Sequence, residues 1–399
     1  MKLSSYINKI GYVYIILLFL ILLDPFTLAF AFSYLLFVVV IVFKKDLFFS
    51  NVDKDFVILL FFSITYSLFN VFGENKGFQY LIIQAVFPAF FYVFGKTLIL
   101  KGMSKNNIVF LLLSVTLIYS SSSLISVILD LLKGGFAQSD RTIPIIWTGE
   151  GKLATGMSGY LKYNVMIPAI IIANRKKLNL GTKGILIVLF VASLLSGFRL
   201  GSRTLVVITV FTLFLSLVIV TTKQKIGENF KLYFGLSIIT LLILTFVPLD
   251  LDADYLSALG HRLNNADTSS AASAGGRTEL WMDGLEKVFT QPLGWKSSHF
   301  HHNMWLDAAK VSGVIPVFFL LFNNVRSLYF LKSIFSFKGD NLGLNVIFTL
   351  YYFGSYMFFF TEPVLEGSFF TFTLFCLFQG ILMGYINLYK TSNQPNLIK

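Results

Sequence analysis

The stretch GILIVLFVASLLSGFRLGSRTLVVITVFTLFLSLVIV, residues 184–220, contains two long apolar runs separated by a short polar break. A hydrocarbon core about 30 Å thick is crossed by about 20 helical residues. We therefore predict two membrane-spanning helices here, at 184–199 and 204–222. The break between them carries two arginines, Arg199 and Arg203.

Runs of the same kind recur throughout the 399 residues, of which 56% are hydrophobic and only 13% are charged. Soluble domains carry about 25% charged residues, so this composition excludes an ordinary soluble protein. The runs are continuous and lack the two-residue alternation of a β-barrel wall. The sequence predicts an all-α, polytopic integral membrane protein that forms a single transmembrane domain over 1–399, with about 12 transmembrane helices. The predicted spans are 10–23, 26–43, 56–73, 78–96, 107–132, 157–174, 184–199, 204–222, 231–248, 304–325, 341–361 and 367–388.

The basic residues orient these spans. Cytoplasmic loops of membrane proteins are enriched in lysine and arginine. Most of the 32 basic residues, including the clusters RKK at 175–177 and KQK at 223–225, share one side when the N-terminus is placed in the cytoplasm. We expect both termini to be cytoplasmic. The net charge of +12 then reflects topology, and nucleic acid is not expected as a partner.

Two loops on the outer side are longer than the rest. The larger, 249–303, joins the ninth and tenth spans, and the smaller is 133–156. Within the larger loop, apolar residues recur at helical spacing over 278–289, and Pro292 and Gly294 follow them. We predict a short amphipathic helix that lies along the membrane surface.

Three arginines on the outer side run against the charge bias of the loops. An arginine at a membrane boundary is costly without a partner, and its guanidinium fork suits phosphate. Arg199 and Arg203 are therefore candidates for anion binding, beside their alternative as interfacial side chains. Arg277 follows two glycines at the start of the predicted helix, where anions are favoured; the alternative is a solvated loop arginine.

Three of the four histidines, His299, His301 and His302, lie within the stretch SHFHHN that precedes the tenth span. Imidazole is a common zinc ligand, but the sequence has neither an HExxH motif nor paired cysteines, and we predict no metal site. Histidine is also suited to general acid–base catalysis, and it is a common polar residue at interfaces. The residues alone leave these last two interpretations open.

The order of these motifs resembles that of the O-antigen polymerase and O-antigen ligase superfamily. Its signature is an arginine that opens a span, a Gly-Arg-x-x-x-Trp segment, a Pro-x-Gly turn and a His-Asn pair before the next span. The matching residues, which lie within about 196–316, are Arg203, Gly276, Arg277, Trp281, Pro292, Gly294, His302 and Asn303. The rest of the chain matches only in span number and topology.

The resemblance implies a metal-independent membrane glycosyltransferase of the GT-C kind, with no cofactor, in the bacterial inner membrane. Such an enzyme takes a glycan from undecaprenyl pyrophosphate at the periplasmic face and links it to another carrier-bound repeat unit. Arg203 and Arg277 would bind the pyrophosphate and His302, with His301 as the alternative, would assist the acceptor hydroxyl. The further substrate-binding candidates are Arg199, His301, Asn303, Gly276 and Trp281. The implied partners are the carrier-linked glycan, membrane lipid, a chain-length regulator and a flippase.

Two other functions fit parts of this pattern. An O-antigen ligase, which transfers the glycan to the lipid A core, shares the same motifs. A lipid-linked glycan flippase or other transporter suits the span number, but such proteins often contain internal repeats joined by short loops. The single large loop before the tenth span disfavours a transporter.

Overall fold

Helices dominate the computed structural model of this chain, which describes residues 3–74, 77–136, 141–246, 253–257, 277–296, 299–337 and 341–393. The helices in the first half are α1 (Leu3–Ile10), α2 (Tyr12–Leu23), α3 (Ala29–Phe43), α4 (Lys45–Ser50), α5 (Lys54–Glu74), α6 (Phe78–Thr97), α7 (Lys105–Gly134), α8 (Ala154–Leu161) and α9 (Ile167–Asn174). Those that follow are α10 (Leu180–Arg199), α11 (Arg203–Lys223), α12 (Ile226–Phe246), α13 (Arg277–Thr290), α14 (Met304–Ser312), α15 (Val314–Ser333), α16 (Leu342–Thr361), α17 (Val364–Gly367) and α18 (Phe369–Asn393).

Seven helices in the described ranges are long and apolar enough to cross a membrane, namely α6, α7, α10, α11, α15, α16 and α18. Three shorter apolar helical segments occur at Tyr12–Leu23, Ala29–Phe43 and Asn164–Asn174. The predicted all-α membrane class is therefore confirmed.

Two predicted spans are interrupted. In 157–174 the chain leaves α8, passes through a 3-10 turn at Asn164–Met166 and enters α9. Pro168 lies in the first turn of α9, where its missing N–H costs no helical hydrogen bond. In 304–325, Gly313 adopts a φ of 73° and separates α14 from α15.

The chain divides into two compact units. The first comprises Met1–Tyr119, Ser273–Phe348 and Phe359–Lys399, and the second comprises Ser120–Ala272 and Thr349–Phe358. This division does not test the prediction that the chain forms a single transmembrane domain, which stays a prediction.

The first unit is built on the close packing of α6 against α18. A Cβ atom at Gly95 would collide with the carbonyl oxygen of Leu377, and one at Gly380 would collide with that of Tyr92. Small residues let two membrane helices approach until their backbones touch, so both positions exclude a larger side chain.

Two partly buried ion pairs join other elements of the first unit. The Nζ atom of Lys96 lies 2.6 Å from Oδ2 of Asp53, and the Tyr92 hydroxyl donates to the same oxygen at 2.9 Å. Arg326 on α15 donates to both carboxylate oxygens of Asp55, at 2.5 and 3.2 Å. Buried charges occur in pairs because an isolated one loses its hydration without compensation, and these pairs hold α5, α6 and α15 in register.

The second unit contains an antiparallel pair of short strands, β1 (Thr142–Pro144) and β2 (Gly151–Leu153). Both strands fall inside the predicted loop 133–156. The Trp147 indole N–H donates to Ser122 Oγ at 2.8 Å, and the backbone N–H of Ile146 donates to Ser126 Oγ at 2.9 Å. These bonds fasten residues 146 and 147 to α7.

Candidate functional site

Three elements of the first unit surround the histidine segment. Helix α13 begins at Arg277 and confirms the helix predicted over 278–289. Its buried Gly284 faces His301: a Cβ atom there would lie 2.7 Å from a carbon of the His301 ring. The second element is α14, which follows directly on the histidine segment 299–303. The third is the turn after α16. Gly276, a candidate from the sequence, lies outside the described residues.

Asp307 on α14 organises the histidine segment. Its side chain is fully buried and accepts hydrogen bonds from the backbone N–H of His301 at 2.8 Å and of Asn303 at 3.3 Å. Oδ1 also lies 3.3 Å from Nδ1 of His301. Hydrogen bonds to a charged acceptor are stronger than neutral ones, so this carboxylate sets the conformation of residues 301–303.

Asn303, a predicted substrate-binding residue, has a structural task. Its Oδ1 accepts hydrogen bonds from the backbone N–H groups of Trp305 and Leu306, at 3.1 and 3.3 Å. Asparagine is among the preferred N-cap residues because its side chain satisfies such otherwise unpaired donors. Asn303 therefore starts α14, and the His-Asn motif acquires a local physical explanation.

His301 is enclosed by protein. Its side chain is only 2% exposed, with Trp295 5.5 Å away in an edge-to-face arrangement and Asp283 Oδ2 3.9 Å from Nε2. The carbonyl oxygen of His301 accepts a hydrogen bond from Trp281 Nε1 at 2.8 Å. Trp281, another predicted substrate-binding residue, thus supports the backbone of the histidine segment.

His302 differs from His301 in backbone conformation and in exposure. Its φ is 52°, in the left-handed region that side chains other than glycine seldom adopt, and its side chain is 35% exposed. Such strain costs about 1–3 kcal/mol and persists only where surrounding contacts impose it. Here the contacts are the two bonds from the flanking residues to Asp307. They impose the left-handed backbone at His302, whose ring is partly buried, while the ring of His301 is fully enclosed.

Glu362, which the sequence analysis missed, faces His302. Its side chain is only 8% exposed; Oε1 lies 3.6 Å from Nη2 of Arg277, and Oε2 lies 4.0 Å from Nδ1 of His302. Within the described part of the chain, that buried ring nitrogen makes no hydrogen bond. The structure therefore brings two predicted site residues, Arg277 and His302, to opposite ends of one buried carboxylate.

The charges around His302 alter its basicity. Burial of the ring lowers the pKa of His302, the positive charge of Arg277 lowers that pKa further, and Asp307 opposes the change. A lower pKa keeps the imidazole neutral near pH 7, the state in which it accepts a proton.

A second buried pair anchors the turn that carries Glu362. Lys310 on α14 lies 2.9 Å from Oε1 of Glu366, with both side chains less than a tenth exposed. The Lys310 ammonium group also lies 5.0 Å from the centre of the Phe300 ring. One signal for this turn was present in the sequence: TEPVLEGS places two carboxylates, Glu362 and Glu366, between two apolar spans.

The Pro-x-Gly segment docks on the break between α14 and α15. The backbone N–H of Trp295 donates to the carbonyl of Lys310 at 2.9 Å, and that of Val314 donates to the carbonyl of Pro292 at 2.9 Å. Gly294 has a φ of 102°, and a Cβ atom there would lie 2.8 Å from the Lys310 oxygen. Only glycine meets both the conformational and the steric demand.

The remaining predicted arginines belong to the second unit. Arg199, whose side chain is 1% exposed, ends α10, and its Nε atom lies 2.9 Å from Oδ2 of Asp130. Arg203 begins α11, is half-buried, and forms no ion pair among the described residues. Arg141, which the sequence analysis did not single out, donates from Nε to the carbonyl of Leu200 at 3.1 Å. Positive side chains therefore converge on the break between α10 and α11.

His299 is exposed. In the ranges that the structure describes, no group of three or more histidine, cysteine, aspartate or glutamate side chains has the arrangement to hold a metal ion. No protein-family model and no curated protein matches the chain.

Proposed function

We propose that this chain is a membrane glycosyltransferase that polymerises oligosaccharide repeat units carried on undecaprenyl pyrophosphate, at the periplasmic face of the bacterial inner membrane. The product would be an O-antigen, a capsule or an exopolysaccharide. The observation that carries the proposal is the meeting of Arg277, Glu362 and His302 in the first unit. An arginine, a histidine of lowered pKa and a buried carboxylate are together suited to transfer from an anionic leaving group.

The proposed reaction needs one base and one source of positive charge. The hydroxyl oxygen of the acceptor sugar attacks the anomeric carbon of the donor, and the bond from that carbon to the pyrophosphate oxygen breaks. The electron pair of this bond remains on the pyrophosphate, whose growing negative charge Arg277 stabilises. The proton of the hydroxyl passes to His302, which its lowered pKa keeps neutral and available.

Within the second unit, Arg203 stays our proposed ligand for an anionic group. As the first residue of α11, it adds its side-chain charge to the positive end of the helix dipole, where anions bind. Arg199 is already neutralised by Asp130, and we propose that it contributes by holding the break at which Arg203 stands.

The proposal includes twelve crossings in a GT-C-like arrangement, with both termini in the cytoplasm. Twelve crossings require the seven long apolar helices, the three shorter apolar segments, and the 21-residue helices α5 and α12. In this topology the turn with Glu362 and the segment with His302 lie on the same, outer side.

The proposal is tested by deletion of the gene, followed by electrophoresis of the surface glycan. Loss of long chains with retention of a single repeat unit is expected, and restoration by the wild-type gene but not by His302→Ala would place the activity at this site. His299→Ala is the matched control because His299 is exposed and near in sequence. Full-length glycan that remains on its carrier would indicate that the protein is a ligase and not a polymerase. The chemistry proposed for this site is the same for both. Unchanged glycan would overturn both, and repeat units trapped on the cytoplasmic face would indicate the flippase.

A further inference from the structure

The carboxylate of Glu362 is shared between two cationic or potentially cationic partners. Its oxygens lie 3.6 Å from Arg277 and 4.0 Å from His302. Both distances exceed those of a charge-assisted hydrogen bond, about 2.7–2.9 Å. The Glu362 carboxylate therefore lies between Arg277 and His302, farther from each than such a bond.

The backbone beneath Glu362 is held by its own contacts. Four residues later, Glu366 pairs with Lys310; Glu366 belongs to the short helix α17, whose Val364 and Leu365 are buried. A change of partner by the Glu362 carboxylate thus requires rotation of its side chain alone, while the turn that carries it stays on α14.

We propose that Glu362 is a positioning residue that passes from Arg277 to His302 when a phosphate group binds Arg277. This inference rests on the proposed function, because it assigns the anion to the site of the leaving group. A phosphate oxygen and the Glu362 carboxylate compete for one guanidinium, and the released carboxylate turns to Nδ1 of His302. There it stabilises the protonated imidazole, so that donor binding itself makes His302 a stronger base.

The charges that face His302 support this direction. Arg277 comes from α13, Glu362 from the turn after α16, His301 from the same segment and Asp307 from α14. Arg277 and His301 lower the pKa of His302, and Asp307 raises it. An anion on Arg277 cancels one of the lowering charges, and an opposite charge close to an ionisable group shifts its pKa by about 1–3 units.

We call this change of partner, from Arg277 to His302, the handover. It predicts that one substitution has opposite effects on two measurable quantities, the affinity for pyrophosphate and the rise in the pKa of His302. Glu362→Gln removes the competitor for Arg277, so inorganic pyrophosphate should bind several-fold more tightly than to the wild type. The same variant cannot stabilise the His302 imidazolium, so the rise in its pKa on pyrophosphate binding should be smaller by about one unit. A residue that merely supports the fold would weaken binding when it is replaced.

The experiment uses the full-length protein in detergent micelles. Pyrophosphate affinity is measured by calorimetry, and the pKa of His302 by NMR of ¹⁵N-labelled histidine, with its resonance identified by its loss in His302→Gln. Glu279→Gln is the matched control, since it removes the same charge from an exposed position in the first turn of α13 and should change neither quantity. Unchanged or weaker pyrophosphate binding by Glu362→Gln, or an undiminished pKa rise, would overturn the handover alone. Failure of the wild type to bind pyrophosphate would overturn the proposed function and the handover together.

Discussion

The backbone N–H of His301 donates a 2.8 Å hydrogen bond to Oδ1 of the buried Asp307. Through this bond and a second from Asn303, one carboxylate holds the backbone on both sides of His302. His301 is enclosed by protein, whereas His302, at positive φ, is 35% exposed. The unlike surroundings of the two histidines are therefore set by a third residue, Asp307.

Replacement of Asp307 by Asn should release the backbone of residues 301–303 from its present conformation. The amide has nearly the same shape but lacks the charge, and its NH₂ group would face one of the backbone donors. We expect a loss of about 1–3 kcal/mol in the free energy of unfolding and a fall in glycan elongation of at least tenfold. Thermal unfolding in detergent and an elongation assay measure these. Wild-type elongation by Asp307→Asn would show that Asp307 does not position His302.

Arg277→Ala and His302→Ala should each abolish elongation without loss of membrane insertion. Removal of a group that stabilises transition-state charge costs about 100-fold or more in rate. Arg277→Lys should retain only part of the activity, since lysine keeps the charge but lacks the planar fork. Elongation and the amount of protein in membranes are measured for each variant, with His299→Ala as control. Full activity in both alanine variants would refute the assignment of the site.

On acidification, the rate of elongation should begin to fall only below pH 6.5. Burial, and then Arg277, depress the pKa of His302 from an ordinary value of about 6.5, and only the neutral imidazole accepts a proton. At donor concentrations far below saturation, where the pH dependence reports the enzyme without bound donor, the rate should therefore be constant between pH 7 and 8 and decline tenfold per unit below the depressed pKa. A pH–rate profile measures this. A decline that begins above pH 7 is the result that the structure does not allow for His302 as the base.

Gly294→Ala should destabilise the protein more than Gly135→Ala. Both glycines have positive φ, but a Cβ atom at Gly294 lies against the Lys310 oxygen, whereas nothing lies within 4 Å of one at Gly135. The left-handed conformation costs each variant about 1–2 kcal/mol, and the collision adds to the cost at Gly294 only. Thermal unfolding midpoints in detergent measure the difference. Equal midpoints would show that the Pro-x-Gly segment does not depend on this close approach.

Helix α13 should lie with one face in the membrane interface. Met282, Leu285 and Phe289 share that face and are exposed, although burial in an apolar medium would be favourable. Nitroxide labels at Phe289→Cys and Asp283→Cys, which lie on different faces of α13, test this because Cys376 is buried and is the only native cysteine. The label at 289 should be more accessible to oxygen, and that at 283 to a polar nickel reagent. Equal accessibility at both positions would place α13 in water.

The features that could be predicted from the sequence depend on local patterns, and those that could not depend on contacts between distant residues. The helix over 278–289 was predictable because its spacing of apolar residues is a local property. Its unburied apolar face agrees with the expected amphipathic character. The interruptions of the spans at 157–174 and 304–325 were missed, because hydropathy averages over a window and does not register a single glycine or a polar side chain that finds partners. Asn164, for example, donates to Ser120 and Ser193 inside the second unit.

By itself, the sequence determined the all-α membrane class and the positions of the arginines and histidines from which a site could be built, since apolar length and rare polar residues are properties of the chain. Only the tertiary structure decided that Arg277 and His302 share Glu362, that Asp130 neutralises Arg199, and that Asp307 assigns unlike surroundings to His301 and His302. These relationships join residues far apart in the chain, or depend on which way a backbone turns. They follow from the requirement that every buried charge find a partner, and that requirement is met only when the helices pack.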